Sequence, residues 1–254
     1  MTLRWAAALL SCLGLVALAG CGGGSAADGA ASRRDVVAAF YPLQYAVEQI
    51  GGDHVKVTGL TKPGVEPHDI ELTARAVARV ATADAVVYLR GFQNAVDEAV
   101  DSQAKGRGFD VTSSAHLDLA AVPDAPEGQS PGQHPSRASA SDPHFWLDPQ
   151  RYAAVADAIA AHLSRIDPAN AAEYQSRAKA FTARLSTLDA EFAAGLKDCR
   201  SRDLVTGHAA FGYLAEAYGL RQVGISGLTP ESEPSPSALA RIAATVKDEG
   251  VRTI

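Results

Sequence analysis

Ala85-Val86-Val87-Tyr88-Leu89 is an unbroken apolar run set between Asp84 and Arg90. A run this short with no polar alternation fits a strand covered on both faces, as in a parallel sheet layered with helices. Asp35 to Phe40 and His54 to Leu60, upstream, read as two further strands. Between them, Leu43 to Ile50 and Glu71 to Thr82 carry helical spacing, with Leu72, Ala76, Val77 and Val80 on one face. The β-α-β-α alternation predicts an α/β fold with parallel strands.

Downstream the pattern breaks and then returns. Residues 123 to 143 hold prolines, glycines and serines without periodicity, and read as an exposed loop over 123–141. Asp148-Pro149 is a helix start, cap followed by proline, and the helix runs to about Ile166 with Val155, Ile159 and Leu163 on one face. Asp167-Pro168 repeats the signal. The second helix extends from about Ala169 to Lys197, with Tyr174, Phe181, Leu185, Leu188 and Phe192 as its apolar positions. At 1.5 Å per residue it is about 43 Å long, enough to cross a domain or to join two. Strands at Leu204 to Thr206 and Gln222 to Ile225 alternate with helices at Ala209 to Tyr218 and Ser237 to Glu249. A last strand opens at Val251, so the C-terminal part is expected to be an incomplete piece of a longer α/β unit.

The N-terminus reads as an address. Arg4 precedes an apolar run from Trp5 to Leu18 that, at roughly 14 residues, suits a signal peptide better than a membrane span. Leu18-Ala19-Gly20-Cys21 resembles a bacterial lipobox, which makes Cys21 the expected lipidation site. The following Gly-Gly-Gly-Ser-Ala-Ala-Asp-Gly stretch suits a flexible tether. Cys199 is then the one other thiol of the mature chain, expected as a buried small hydrophobe or as half of an intermolecular disulfide.

Composition sets the outer limits. The 254 residues are 47% hydrophobic and 20% charged, with a net charge of -6. This is a globular balance, and it gives no electrostatic case for nucleic acid or for an anionic membrane surface.

Seven histidines are present. Three share a setting at predicted turns near helix starts: His68 in Gly-Val-Glu-Pro-His-Asp, His144 in Asp-Pro-His-Phe-Trp-Leu-Asp-Pro, and His208 in Thr-Gly-His-Ala-Ala-Phe. In an α/β sheet such turns gather on one edge, where ligands bind. Three imidazoles there suit a borderline-soft cation such as zinc. His54, His116 and His162 read as ordinary hydrogen-bonding surface residues, and His134 lies in the loop. Neutral imidazoles are needed for a metal, so affinity is expected to fall below about pH 6.5.

Phe40-Tyr41-Pro42-Leu43, Ile50-Gly51-Gly52-Asp53, Gly64 to Asp69, Ala83 to Tyr88, Asp142 to Pro149 and the turn at His208 occur together in order. On these segments the chain resembles the metal-binding lipoproteins of bacterial ABC importers, the zinc/manganese solute-binding family. The resemblance implies two α/β lobes joined by one long helix, with metal in the cleft between them. On this sequence that gives a signal peptide over 1–20, lipidated Cys21 and tether over 21–34, a first lobe over 35–168, a linking helix over 169–198 and an incomplete second lobe over 199–254. It implies His68, His144 and His208 as metal ligands, and a fourth, usually a carboxylate, from beyond Ile254. Histidine at 208, where the manganese branch usually has glutamate, implies Zn²⁺ as the transported ligand, with Mn²⁺ or iron as the alternative. The implied partners are an ABC permease with its ATPase, and the membrane through the lipid anchor; a monomer that is not an enzyme is expected. A secreted zinc hydrolase and an adhesin using metal structurally are the rival readings; no His-Glu-x-x-His helix supports the first.

Overall fold

The computed structural model describes residues 33–62, 64–120, 141–227, 236–248 and 250. The expected signal peptide, Cys21, most of the 123–141 loop with His134, and the strand at Val251 lie outside the described residues. In chain order the elements are β1 (Arg34–Ala38), α1 (Tyr41–Gly51), β2 (Val55–Gly59), α2 (Ala74–Thr82), β3 (Ala85–Tyr88), α3 (Asn94–Gln103), β4 (Gly108–Asp110), α4 (Thr112–Ala115), α5 (Pro149–Ile166), α6 (Ala171–Gly195), β5 (Asp203–Thr206), α7 (Gly212–Tyr218), β6 (Arg221–Gly224) and α8 (Pro236–Asp248).

Two parallel sheets result, as the alternation predicts. The first has the order β2-β1-β3-β4, with Val36 opposite Val57 on one side and Ala85 on the other. All four residues of β3 are buried, which explains its uninterrupted apolar sequence. The strand order reverses between β1 and β3, and in α/β sheets such a switch point is where ligands bind, beyond the C-terminal strand ends. The second sheet pairs β5 with β6, from Asp203 opposite Arg221 to Thr206 opposite Gly224. The elements α3, β4 and α4 go beyond the alternation expected from sequence.

The two helix starts differ. The Asp148 carboxylate accepts the backbone N–H of Gln150 at 2.8 Å and of Arg151 at 3.4 Å, as a cap should. The Asp167 carboxylate instead accepts the Asn170 amide at 2.7 Å and the Tyr174 hydroxyl at 2.6 Å. A 3₁₀ turn over Pro168–Asn170 therefore intervenes, and α6 begins at Ala171. The front half of α6 packs on α5 and α1 through Tyr174, Ala178, Phe181 and Leu185. Its rear half is barer, with Leu188 39% exposed. A cavity of about 460 Å³ lies along that stretch, lined by Trp146, Phe181, Leu185, Phe192 and Leu214 among others.

Two expectations fail here. His162 is not a surface residue: it lies on the inner side of α5 and stacks on Phe109 with centroids 4.3 Å apart. Cys199 is exposed and free, so it is not a buried hydrophobe. Its position just beyond α6, outside the core, removes the packing that burial needs.

Candidate metal centre

The loop after β2 carries His68, and a neighbouring strand end holds that loop in place. Gln93, buried beyond β3, donates its side-chain amide to the Pro67 carbonyl at 2.7 Å. The Thr61 hydroxyl ties the start of the loop to the Ala39 carbonyl at 2.9 Å. Phe92 meets the His68 ring edge-on at 4.8 Å. His68 also donates its backbone N–H to the Glu66 carboxylate at 3.2 Å. No helix follows it directly, since α2 begins only at Ala74.

His144 sits just ahead of a 3₁₀ turn over Phe145–Leu147 and is almost fully buried. Asp142 fixes it from behind. Oδ1 of Asp142 accepts the His144 backbone N–H at 2.9 Å and its Nδ1–H at 2.7 Å. A ring that gives its Nδ1 proton to a carboxylate presents the Nε2 lone pair forward, the tautomer a metal requires. Trp146, 5.2 Å from the His144 ring, joins Phe40 and Phe92 in an aromatic floor.

His208 follows β5 and is half-buried. The Thr206 hydroxyl donates to its carbonyl at 2.7 Å, and Ala209 N–H reaches the Gly227 carbonyl at 2.8 Å. Helix α7 starts at Gly212, three residues later than the sequence pattern suggests, so His208 rides on a turn with its own hydrogen bonds.

The three predicted histidines come together. His68 Nε2 and His144 Nε2 are 3.1 Å apart, and one ring nitrogen from each of His68, His144 and His208 lies within 4.8 Å of the others. Ligands about 2.0–2.1 Å from a tetrahedral zinc stand roughly 3.3 Å from one another, so the first pair already has that spacing. With the His144 lone pair turned toward His68, a proton or a cation between the rings relieves the repulsion. Burial first, then the neighbouring His144 and His208, pushes the His68 imidazole down to about 4. The His68 ring is therefore held neutral below the ordinary imidazole range.

His54, His116 and His162 stand apart from this cluster. His54 pairs with Glu173 at 2.7 Å, His116 is exposed in the left-handed region at φ 50°, and His162 is in the core. Sequence reasoning gave no role to Asp142, Gln93 or Phe92. The carboxylate two residues before His144 was a usable signal; nothing local marks Gln93.

The fold and this geometry define the class: a two-sheet α/β binding protein whose converging imidazoles suit a borderline cation. Residues 36–254 match the family described as zinc-uptake complex component A, periplasmic, and the chain belongs to that family. It is 33% identical to the high-affinity zinc uptake system protein ZnuA of Bacillus subtilis, over 99% of this chain and 80% of that protein. It is also 33% identical to the zinc-binding lipoprotein AdcA of Streptococcus pneumoniae, over 97% of this chain, and spans about half (49%) of that longer protein. Among solved structures it resembles the laminin-binding protein Lmb of Streptococcus agalactiae, described as an adhesin with metal-transporting activity. There the TM-score is 0.74 at 34% identity, over 87% of this chain and 79% of that one. A Zn(II)-bound variant of AdcAII from Streptococcus pneumoniae gives a TM-score of 0.74 at 31% identity, over 88% of this chain and 80% of that one. The family is a transport component and not an enzyme, which sets aside the hydrolase reading.

Proposed function

We propose that this protein is the extracytoplasmic receptor of a zinc importer: it captures Zn²⁺ with His68, His144 and His208 and delivers it to an ABC permease driven by its ATPase. The observation that carries the reading is the meeting of three ring nitrogens from three distant segments within 4.8 Å. An all-imidazole set favours zinc over manganese, which prefers harder oxygen ligands. Glu66, whose Oε1 lies 3.7 Å from His68 Nε2, adds negative charge at the mouth of the site and favours a dication. We assign residues 35–168 and 199–254 to the two lobes and 169–198 to the helix between them. Lipidation at Cys21 would hold a monomeric receptor at the outer face of the membrane; replacing it with serine should release the protein from the membrane fraction.

Capture needs no proton chemistry beyond the tautomer that Asp142 sets. Delivery needs weakening of one ligand, and His208, on the less buried segment, is the one best placed to leave. The test is equilibrium dialysis of the chain from Gly22 onward against equal zinc and manganese, with bound metal counted by mass spectrometry. One zinc per folded chain is the expected result. Preferential manganese on the folded chain, or zinc affinity unchanged in each of His68→Ala, His144→Ala and His208→Ala, overturns the assignment.

A further inference from the structure

Asp142 is held between two parts of the molecule. On one side, Oδ1 takes both N–H groups of His144. On the other, α7 presses against it. The fully buried Tyr213 donates its hydroxyl to the Asp142 carbonyl at 2.9 Å. A Cβ at Gly212 would stand 2.6 Å from Asp142 Oδ2 and 3.4 Å from Leu119 Cδ1. Only glycine lets the helix start come this close while the carboxylate keeps its angle. The Tyr213 ring is held in turn by Arg151, whose guanidinium lies 4.4 Å from the ring centroid. Arg151 is itself fixed by Asp118 at 2.9 Å, Asp148 at 3.2 Å, Glu216 at 3.3 Å and the His116 carbonyl.

The consequence follows from connectivity. Gly212 and Tyr213 belong to the same β5–α7 segment that carries His208. The segment that brings one imidazole therefore also sets the direction of another, which belongs to a distant part of the chain. We propose that Gly212 and Tyr213 are positioning residues for the metal centre: Gly212 leaves room for the Asp142 carboxylate, Tyr213 anchors the Asp142 carbonyl, and through Asp142 they set the tautomer and direction of the His144 ring. This rests on the reading of His68, His144 and His208 as the zinc site and adds to it a coupling between its two halves. Docking of α7 and readiness of His144 become one event, so a chain with α7 displaced presents a mis-set site.

The experiment compares Gly212→Ala and Tyr213→Phe with the parent protein, using two readouts. Zinc affinity is measured by competition with a chromophoric chelator. The His144 tautomer is read from imidazole ¹⁵N shifts of the metal-free protein, assigned with His144→Ala. Gly212→Ala is expected to weaken zinc binding about 10- to 100-fold and to shift His144 away from the Nδ1–H form. Tyr213→Phe keeps the ring packed and loses one hydrogen bond; a loss of about 3- to 5-fold with a partial tautomer shift is expected. Should Gly212→Ala fail to fold by circular dichroism, Tyr213→Phe carries the test alone. Parent tautomer and parent affinity in the folded variants overturn the inference while leaving the zinc site intact. Unchanged zinc affinity in His144→Ala instead overturns the ligand assignment on which it rests.

Discussion

The first and second sheets are built to different tolerances. In the first, Val36 through Phe40 and Ala85 through Leu89 are buried, and the His68 and His144 segments hang from Gln93 and Asp142, which are 2% and 3% exposed. In the second, β6 has no buried residue, and the His208 carbonyl accepts the Thr206 hydroxyl at 2.7 Å and the Gln222 side-chain amide at 3.4 Å. The spacing at the site follows this division. The His68 and His144 rings are 5.1 Å apart between centroids, while His208 stands 5.5 Å from His144 and 6.1 Å from His68. The His68–His144 pair is the closer-set one, and His208 stands farther from both.

Ligand deletion breaks the comparison most sharply. Structural zinc sites with four ligands bind with about 10–16 kcal/mol, or roughly 2.5–4 kcal/mol per ligand. His144→Ala should therefore lower zinc affinity about 10³-fold, since it also leaves the Asp142 carboxylate buried without its imidazole partner. His208→Ala should cost less, about 10²-fold, because the preset pair survives. Competition titrations check both, and equal losses would show that the two halves are equally organised.

Core truncation sharpens the same contrast through stability. Ile50 on α1 is fully buried against the first sheet, whereas Val223 on β6 is only partly covered. Ile50→Ala should destabilise by about 3 kcal/mol and Val223→Ala by about 1 kcal/mol or less. Urea unfolding followed by circular dichroism reads both. A larger loss at Val223 would place the cooperative core in the second sheet.

What was legible in the sequence divides along the same line. The strands at Ala85 and Asp35 and the capped helix at Asp148 are local signals, apolar runs and cap chemistry, so their positions agree with the structure to within a few residues. The three histidines could be gathered because parallel topology sends strand-end turns to one edge. The residues that hold them could not. Gln93 acts on Pro67, and Tyr213 on Asp142, across long stretches of chain, and no periodicity records a hydrogen bond between distant residues. His162 misled because polarity normally marks the outer side of a helix. Here its ring stacks on Phe109 while Arg165 serves its Nδ1 at 2.9 Å.

Acid should act on the better-built half, by an effect per group similar to the Val223 truncation. Burial pushes both His68 and His162 down to about 4, with the neighbouring His144 and His208 adding to the first shift and Arg165 to the second. In the unfolded chain both imidazoles take up protons near 6.5. Between 6.5 and 4 the unfolded chain holds protons that the folded chain refuses, so stability is full above about 6.5 and drains as the pH falls toward 4. After allowance for solvent screening, each group should contribute about 1 kcal/mol, or a few degrees of melting temperature, between pH 7 and 5. His68→Gln and His162→Gln should each flatten part of that slope, and together most of it. Zinc separates the two. A bound ion occupies the His68 lone pair and blocks its protonation in the folded chain, so saturating zinc should keep or enlarge the His68 share and leave the His162 share unchanged. Thermal melts at pH 7 and 5, with and without zinc, measure each share. A slope untouched by either variant would mean that neither buried imidazole resists protonation, and that acid acts elsewhere in the fold.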